Sequence, residues 1–100
     1  MAQIFHVMTP EAWAAFQEAG VSENSTRDRT LAEEGFIHCS YAEQLEGTLG
    51  RFYADLPEVV VVALDPKRLE APVEVEGGFP HVYGPLTIDA VVEATHRAPG

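Results

Sequence analysis

Val59-Val60-Val61-Val62-Ala63-Leu64, introduced by Glu58 and closed by Asp65-Pro66, places six apolar residues in a row. Consecutive β-branched residues resist a helix, and an unbroken apolar run suits a strand covered on both faces. Pro66 then stops it, because proline has no N–H to offer a neighbouring strand. The run is expected to be the buried central strand.

Upstream, Gln3-Ile4-Phe5-His6-Val7-Met8 has β composition and ends at Thr9-Pro10, where Thr can cap a helix and Pro can take its first position. Over Glu11 to Ala19, Trp13 and Phe16 share a helical face, and Gly20 is a natural stop. Val21 to Thr30 reads as a polar loop. Gly35-Phe36-Ile37-His38-Cys39 reads as a short strand, and Ser40-Tyr41-Ala42-Glu43 matches a capping box opening a second helix, in which Leu45, Leu49 and Phe52 keep helical spacing despite Gly47 and Gly50. Downstream, Val73-Glu74-Val75-Glu76 alternates as a half-exposed strand, and Gly77-Gly78 turns the chain. Phe79 to Ala94 forms a last strand or bent pair interrupted at Gly84-Pro85. The expected class is α+β: one domain, residues 1–100, with a split mixed β-sheet and two main helices.

The chain has 100 residues, 46% of them hydrophobic, which supplies one core and leaves no room for a second. Its single cysteine, Cys39, cannot form an internal disulfide, which suits a reducing compartment and places the protein in the cytoplasm. No basic leader or bilayer-length apolar run is present, so no membrane role is expected. The formal charge of -10 disfavours general nucleic-acid binding, and Arg27 with Arg29 and Lys67 with Arg68 are pairs rather than patches. A small anion held by one or two cations is compatible with that balance.

The chemistry-bearing residues lie on the expected strands. His6 either faces a cleft, where a ring nitrogen can donate to a ligand, or is a core histidine bonded to a backbone carbonyl. His38 and Ser40 share a strand face, though capping alone would explain Ser40. Cys39 points oppositely, as a buried small hydrophobe rather than a nucleophile. In Phe79-Pro80-His81-Val82-Tyr83-Gly84-Pro85-Leu86, His81 and Tyr83 share a face inside a rigid bracket, as a preorganised site or a turn in which Tyr83 only packs. Glu74 and Glu76 are acid–base candidates or a solvated strand face. The four histidines lack close metal-ligand spacing, so no metal site is expected. The Gly-x-Ser-x-Gly elbow, the phosphate-binding loop and the dinucleotide fingerprint are all absent.

Ile4-Phe5-His6, Glu34-Gly35-Phe36-Ile37-His38-Cys39-Ser40 and Phe79-Pro80-His81-Val82-Tyr83-Gly84-Pro85-Leu86 together resemble the bacterial family catalogued as domain of unknown function 952. That family in turn is similar to the ADP-ribosyltransferase fold, a split β-structure around an NAD cleft. The resemblance implies that His6 stands where a ribose hydroxyl is held, that Gly35 to Ser40 and the helix through Tyr53 match a glycine-started strand and tyrosine-ended helix, and that Val82 to Pro85 falls at the last motif. The sequence departs from the pattern where transferases place a glutamate before that motif, since Gly78, Phe79, Pro80 and His81 stand there and Glu76 would need a shifted alignment. RNA 2'-phosphotransferases of the same fold use several arginines, and the expected site strands contain none.

The resulting expectation is a cleft binding a nucleotide-like small molecule, with NAD as candidate substrate or ligand and no required cofactor. His6, His38 and His81 are the candidate catalytic residues for glycosidic or phosphoryl transfer, with Ser40 and Tyr83 binding the ligand. The alternative is a ligand-sensing or protein-interaction module that keeps the cleft without turnover. Neither reading assigns a protein partner.

Overall fold

The computed structural model describes residues 2–100, beginning with strand β1, Ile4–Met8, which leads into helix α1, Pro10–Ala19. Local chemistry sets this junction. Thr9 Oγ1 accepts a hydrogen bond from the Ala12 N–H at 3.1 Å, Pro10 takes the first turn, and Gly20 closes the helix at a φ of 79°. On α1, Phe16 is buried and Trp13 packs edge-on against it, with ring centres 5.8 Å apart.

The expected polar loop is instead structured. Val21–Ser22 is β2, Asn24–Thr26 is β3, Arg29–Thr30 is β4 and Leu31–Glu34 is α2. Its polar side chains hide the pairing, because β3 and β4 are held through their backbones. A full capping box starts α2: Thr30 Oγ1 accepts from the Glu33 N–H at 3.3 Å, and Glu33 Oε1 accepts from the Thr30 N–H at 2.9 Å.

β5 is Ile37–His38, and the expected Ser40 helix cap does not form. The Ser40 N–H and carbonyl both pair with Phe5 at 2.8 Å, which holds the residue extended. A 3-10 turn over Ala42–Gln44 begins one residue later, with the Tyr41 N–H donating to Gln44 Oε1, and α3 follows over Leu45–Phe52. Leu49 and Tyr53 are the buried residues here, while Phe52 is 59% exposed, so the apolar face ends at Tyr53 and not at Phe52.

β6, Val59–Leu64, is buried at every position, as its sequence predicts. β7, Val73–Glu76, and β8, Phe79–Val82, form a hairpin whose Gly77 and Gly78 adopt φ of 61° and 85°, the double positive φ of a tight turn. β9, Leu86–Thr87, and β10, Val91–Arg97, complete the chain. The sheets are β1-β6-β10 and β5-β8-β7, with the pairs β2-β9 and β3-β4. Every pairing among the described strands is antiparallel, which corrects the expected mixed sheet, while the α+β class with a divided β-structure and few helices stands. No helix of the described residues is long and apolar enough to cross a membrane.

Alternation along β6 divides the interior into two cores. Val60, Val62 and Leu64 join Ile4, Met8 and Phe16 on the α1 side, while Val59 and Val61 join Val7, Leu49 and Tyr53 on the α3 side. His6 lies opposite Val62 and shares the α1-side face of β1 with Ile4 and Met8. There it is 2% exposed, and its Nδ1 donates to the His38 carbonyl oxygen at 2.7 Å.

Burial lowers the His6 pKa to about 4, and nearby His38 reinforces the effect against that carbonyl bond. Above the ordinary histidine pKa of about 6.5 the residue is neutral folded or unfolded; between there and about 4 only the unfolded chain takes the proton, so stability is lost as the pH is lowered. His6→Gln keeps a donor but cannot titrate. Denaturant unfolding from pH 7 to pH 5 should therefore show the wild type losing roughly 2 kcal/mol relative to this variant. A stability gap that does not change with pH would contradict the assignment.

Candidate functional site

The second core ends in a cleft of about 580 Å³. Phe5 and Val7 form its floor because strand alternation points them away from His6. Cys39 and Ser40 continue that floor, α3 and its end contribute Thr48, Arg51, Phe52 and Tyr53, and the β3–β4 turn contributes Thr26, Arg27 and Asp28. His38, Phe79 and His81 close the remaining side. The β7–β8 turn is tied to the entry of α3 by Gln44 Nε2, which donates to the Gly78 carbonyl at 2.7 Å.

Register explains the histidines. Ile37, Val82 and Val73 lie abreast on the core face of β5-β8-β7, so His38, His81 and Glu74 lie abreast on the other. The His38 and His81 ring centres are 5.4 Å apart, nearly perpendicular, and Phe36 stacks on His81 at 4.0 Å. His81 Nδ1 donates to Glu76 Oε1 at 2.6 Å, and the Tyr83 hydroxyl donates to the same oxygen. Tyr83 first and His81 second hold the Glu76 carboxyl below its usual range, while that carboxylate pushes the Tyr83 hydroxyl up. His38 Nε2 donates to Glu34 Oε1 at 3.2 Å, and Arg29 Nη1 meets the other Glu34 oxygen at 3.4 Å.

Of the five expected site residues, His38, Ser40 and His81 meet at the cleft. Ser40 shares a hydrogen bond with Thr48, Oγ to Oγ1, at 2.9 Å, so its hydroxyl joins the segment after β5 to α3. Two residues are elsewhere. His6 belongs to the opposite core, and Tyr83 binds Glu76 and faces Phe36 at 5.6 Å, beside a separate shallow recess lined by Gly84 and Pro85. The expected pocket of His6, His38, His81 and Tyr83 is corrected to His38 and His81.

The cleft also holds two arginines absent from the expected strands. Arg27 donates from Nη2 to both Asp55 oxygens, at 2.9 and 3.1 Å, and lies 5.6 Å over the Tyr53 ring. Arg51 pairs with no carboxylate among the described residues and stands 5.9 Å over Phe52. Their only legible signal was Arg51-Phe52 itself, a cation beside an aromatic that helical spacing would otherwise assign to the core. No group of three or more His, Cys, Asp or Glu side chains is placed to hold a metal among the described residues.

A divided antiparallel α+β domain with a cleft between one helix and two small sheets is the class that this geometry defines. The chain belongs to the family described as Protein of unknown function (DUF952), whose pattern matches residues 7–94. It is similar to CC0527 of Caulobacter crescentus: the crystal structure is 29% identical over 95% of this chain and 85% of that one, with a TM-score of 0.78. A crystal structure of a CC0527 double mutant gives the same values, and the solution NMR structure has a TM-score of 0.71. No curated protein matches the sequence.

Cys39 is 5% exposed, and burial pushes its thiol pKa up, so little reactive thiolate forms even though the residue adjoins the cleft. Native protein treated with a thiol-alkylating reagent near neutral pH should label at least a hundredfold more slowly than denatured protein, read by mass spectrometry. Comparable labelling rates would contradict this packing.

Proposed function

We propose that the chain binds a small nucleotide-like anion, an aromatic ring carrying phosphate, in this cleft. The supporting observation is Arg51, a cation without a carboxylate partner among the described residues on a chain of charge -10, in one cleft with Arg27 and two partly exposed aromatics, Phe52 and Phe79. Arginine offers phosphate a planar fork of donors, and the exposed rings offer a base a stacking surface. NAD remains a candidate ligand through the resemblance to the ADP-ribosyltransferase fold.

If the cleft carries turnover, its residues favour phosphoryl over glycosidic transfer. Glycosidic chemistry uses carboxylates against oxocarbenium-like charge, whereas among the described residues Asp28 is the only cleft-lining carboxylate, with a side chain 85% exposed. The non-catalytic sensing alternative draws its support from His6, whose burial in the other core removes the ribose-holding residue that the resemblance implied.

Calorimetric titration with ADP, ADP-ribose and NAD tests the binding. Arg51→Ala should weaken the ligand that binds by about 10–100-fold, the loss of roughly 1.4–2.8 kcal/mol, without moving the melting temperature. No binding of any of the three by the unmutated protein, or full affinity in the variant, would refute the reading.

A further inference from the structure

We infer that His38 and His81 form an acid–base pair for intramolecular cleavage of a ribonucleotide phosphodiester, an inference that rests on the cleft being a nucleotide site. Each imidazole is anchored through one nitrogen and keeps the other for a substrate: His38 is held at Nε2 by Glu34 and His81 at Nδ1 by Glu76. A carboxylate on one ring nitrogen fixes the tautomer and orientation of the other, the arrangement that general acid–base catalysis needs. Both rings border the cleft that holds Arg27 and Arg51. Their centres are 5.4 Å apart, and each nitrogen has to come within about 2.6–3.2 Å of its oxygen, a spacing that lets the pair address two oxygens of one phosphate group.

The step balances without a further reactant. Nδ1 of neutral His38 takes the proton of the ribose 2'-hydroxyl as O2' forms a bond to phosphorus. The P–O5' bond breaks, and protonated His81 gives its Nε2 proton to the departing O5'. The products are a 2',3'-cyclic phosphate and a 5'-hydroxyl, and one histidine has exchanged protonation state with the other.

The surroundings assign the two parts. Glu76 lies 2.6 Å from His81 and offsets the charge a proton donor carries, with Tyr83 on the same oxygen, Glu74 alongside in register and Phe36 stacked on the ring. Glu34 lies further from His38, at 3.2 Å, and is shared with Arg29. Arg51 lines the same cleft and can offset the charge on the non-bridging phosphate oxygens, which grows as O2' attacks phosphorus.

The experiment uses a ribodinucleoside monophosphate, its 2'-deoxy analogue and the whole chain. Phosphorus NMR should show the ribo compound converted to the cyclic phosphate, with a bell-shaped pH profile. His38→Ala and His81→Ala should each lower the rate by about 100-fold or more, the first flattening the acidic limb and the second the alkaline limb. The deoxy analogue, which has no nucleophile, should bind the wild type and both variants by calorimetry, showing that each variant folds with its cleft intact. Binding of the deoxy analogue with no cleavage of the ribo compound would overturn the acid–base pair and leave the binding site standing. Failure of both compounds to bind would overturn the acid–base pair, and the binding site falls with it when ADP, ADP-ribose and NAD fail as well. Cleavage that persists in both histidine variants would also overturn the pair.

Discussion

Burial of β6 on both faces is the constraint from which the rest of the architecture follows. A strand whose six residues are all covered needs a layer on each side, and the chain supplies α1 for one and α3 for the other. Covering a valine or leucine contributes on the order of 1.5–3 kcal/mol, so a one-residue slip of β1 or β10 would cost several such contacts at once. That register decides the fate of every residue on β1. Phe5 and Val7 go to the cleft side, and His6 goes with Ile4 and Met8 to the closed side.

The cleft is a consequence of the same two-sided packing. α3 covers the second face of β6 only as far as Leu49 and Tyr53, leaving Arg51 and Phe52 at its open end. The small sheet β5-β8-β7 uses one face for the α1-side core and presents the other, with both histidines, to the opening. Ser40 joins the parts: its backbone pairs with β1 and its hydroxyl bonds Thr48 on α3. The groups that can meet a ligand thus stand on elements tied to one another by hydrogen bonds.

Strong local signals were legible in the sequence. The valine run, the Thr9-Pro10 start, the Gly20 stop and the Gly77-Gly78 turn all carry their cause within a few residues. Signals dependent on distant partners were not. Thr30-Leu31-Ala32-Glu33 and Ser40-Tyr41-Ala42-Glu43 carry the same capping pattern, yet only the first forms, because Phe5, 35 positions away, claims the Ser40 backbone. His6 was ambiguous because apolar residues flank it on both faces of β1. His38 and His81 were readable as facing one way on their strands, but their meeting depended on the β5–β8 pairing.

Everything proposed for this protein depends on a nucleotide-like anion occupying this one cleft. Amide-resolved NMR during titration with ADP tests it by location. Shifts should concentrate at Ser40, Thr48, Arg51, Phe79 and His81, with the exposed outer strand β10 unmoved. Saturating shifts that instead map to β10 or to the Tyr83 recess, or an unchanged spectrum, would contradict it.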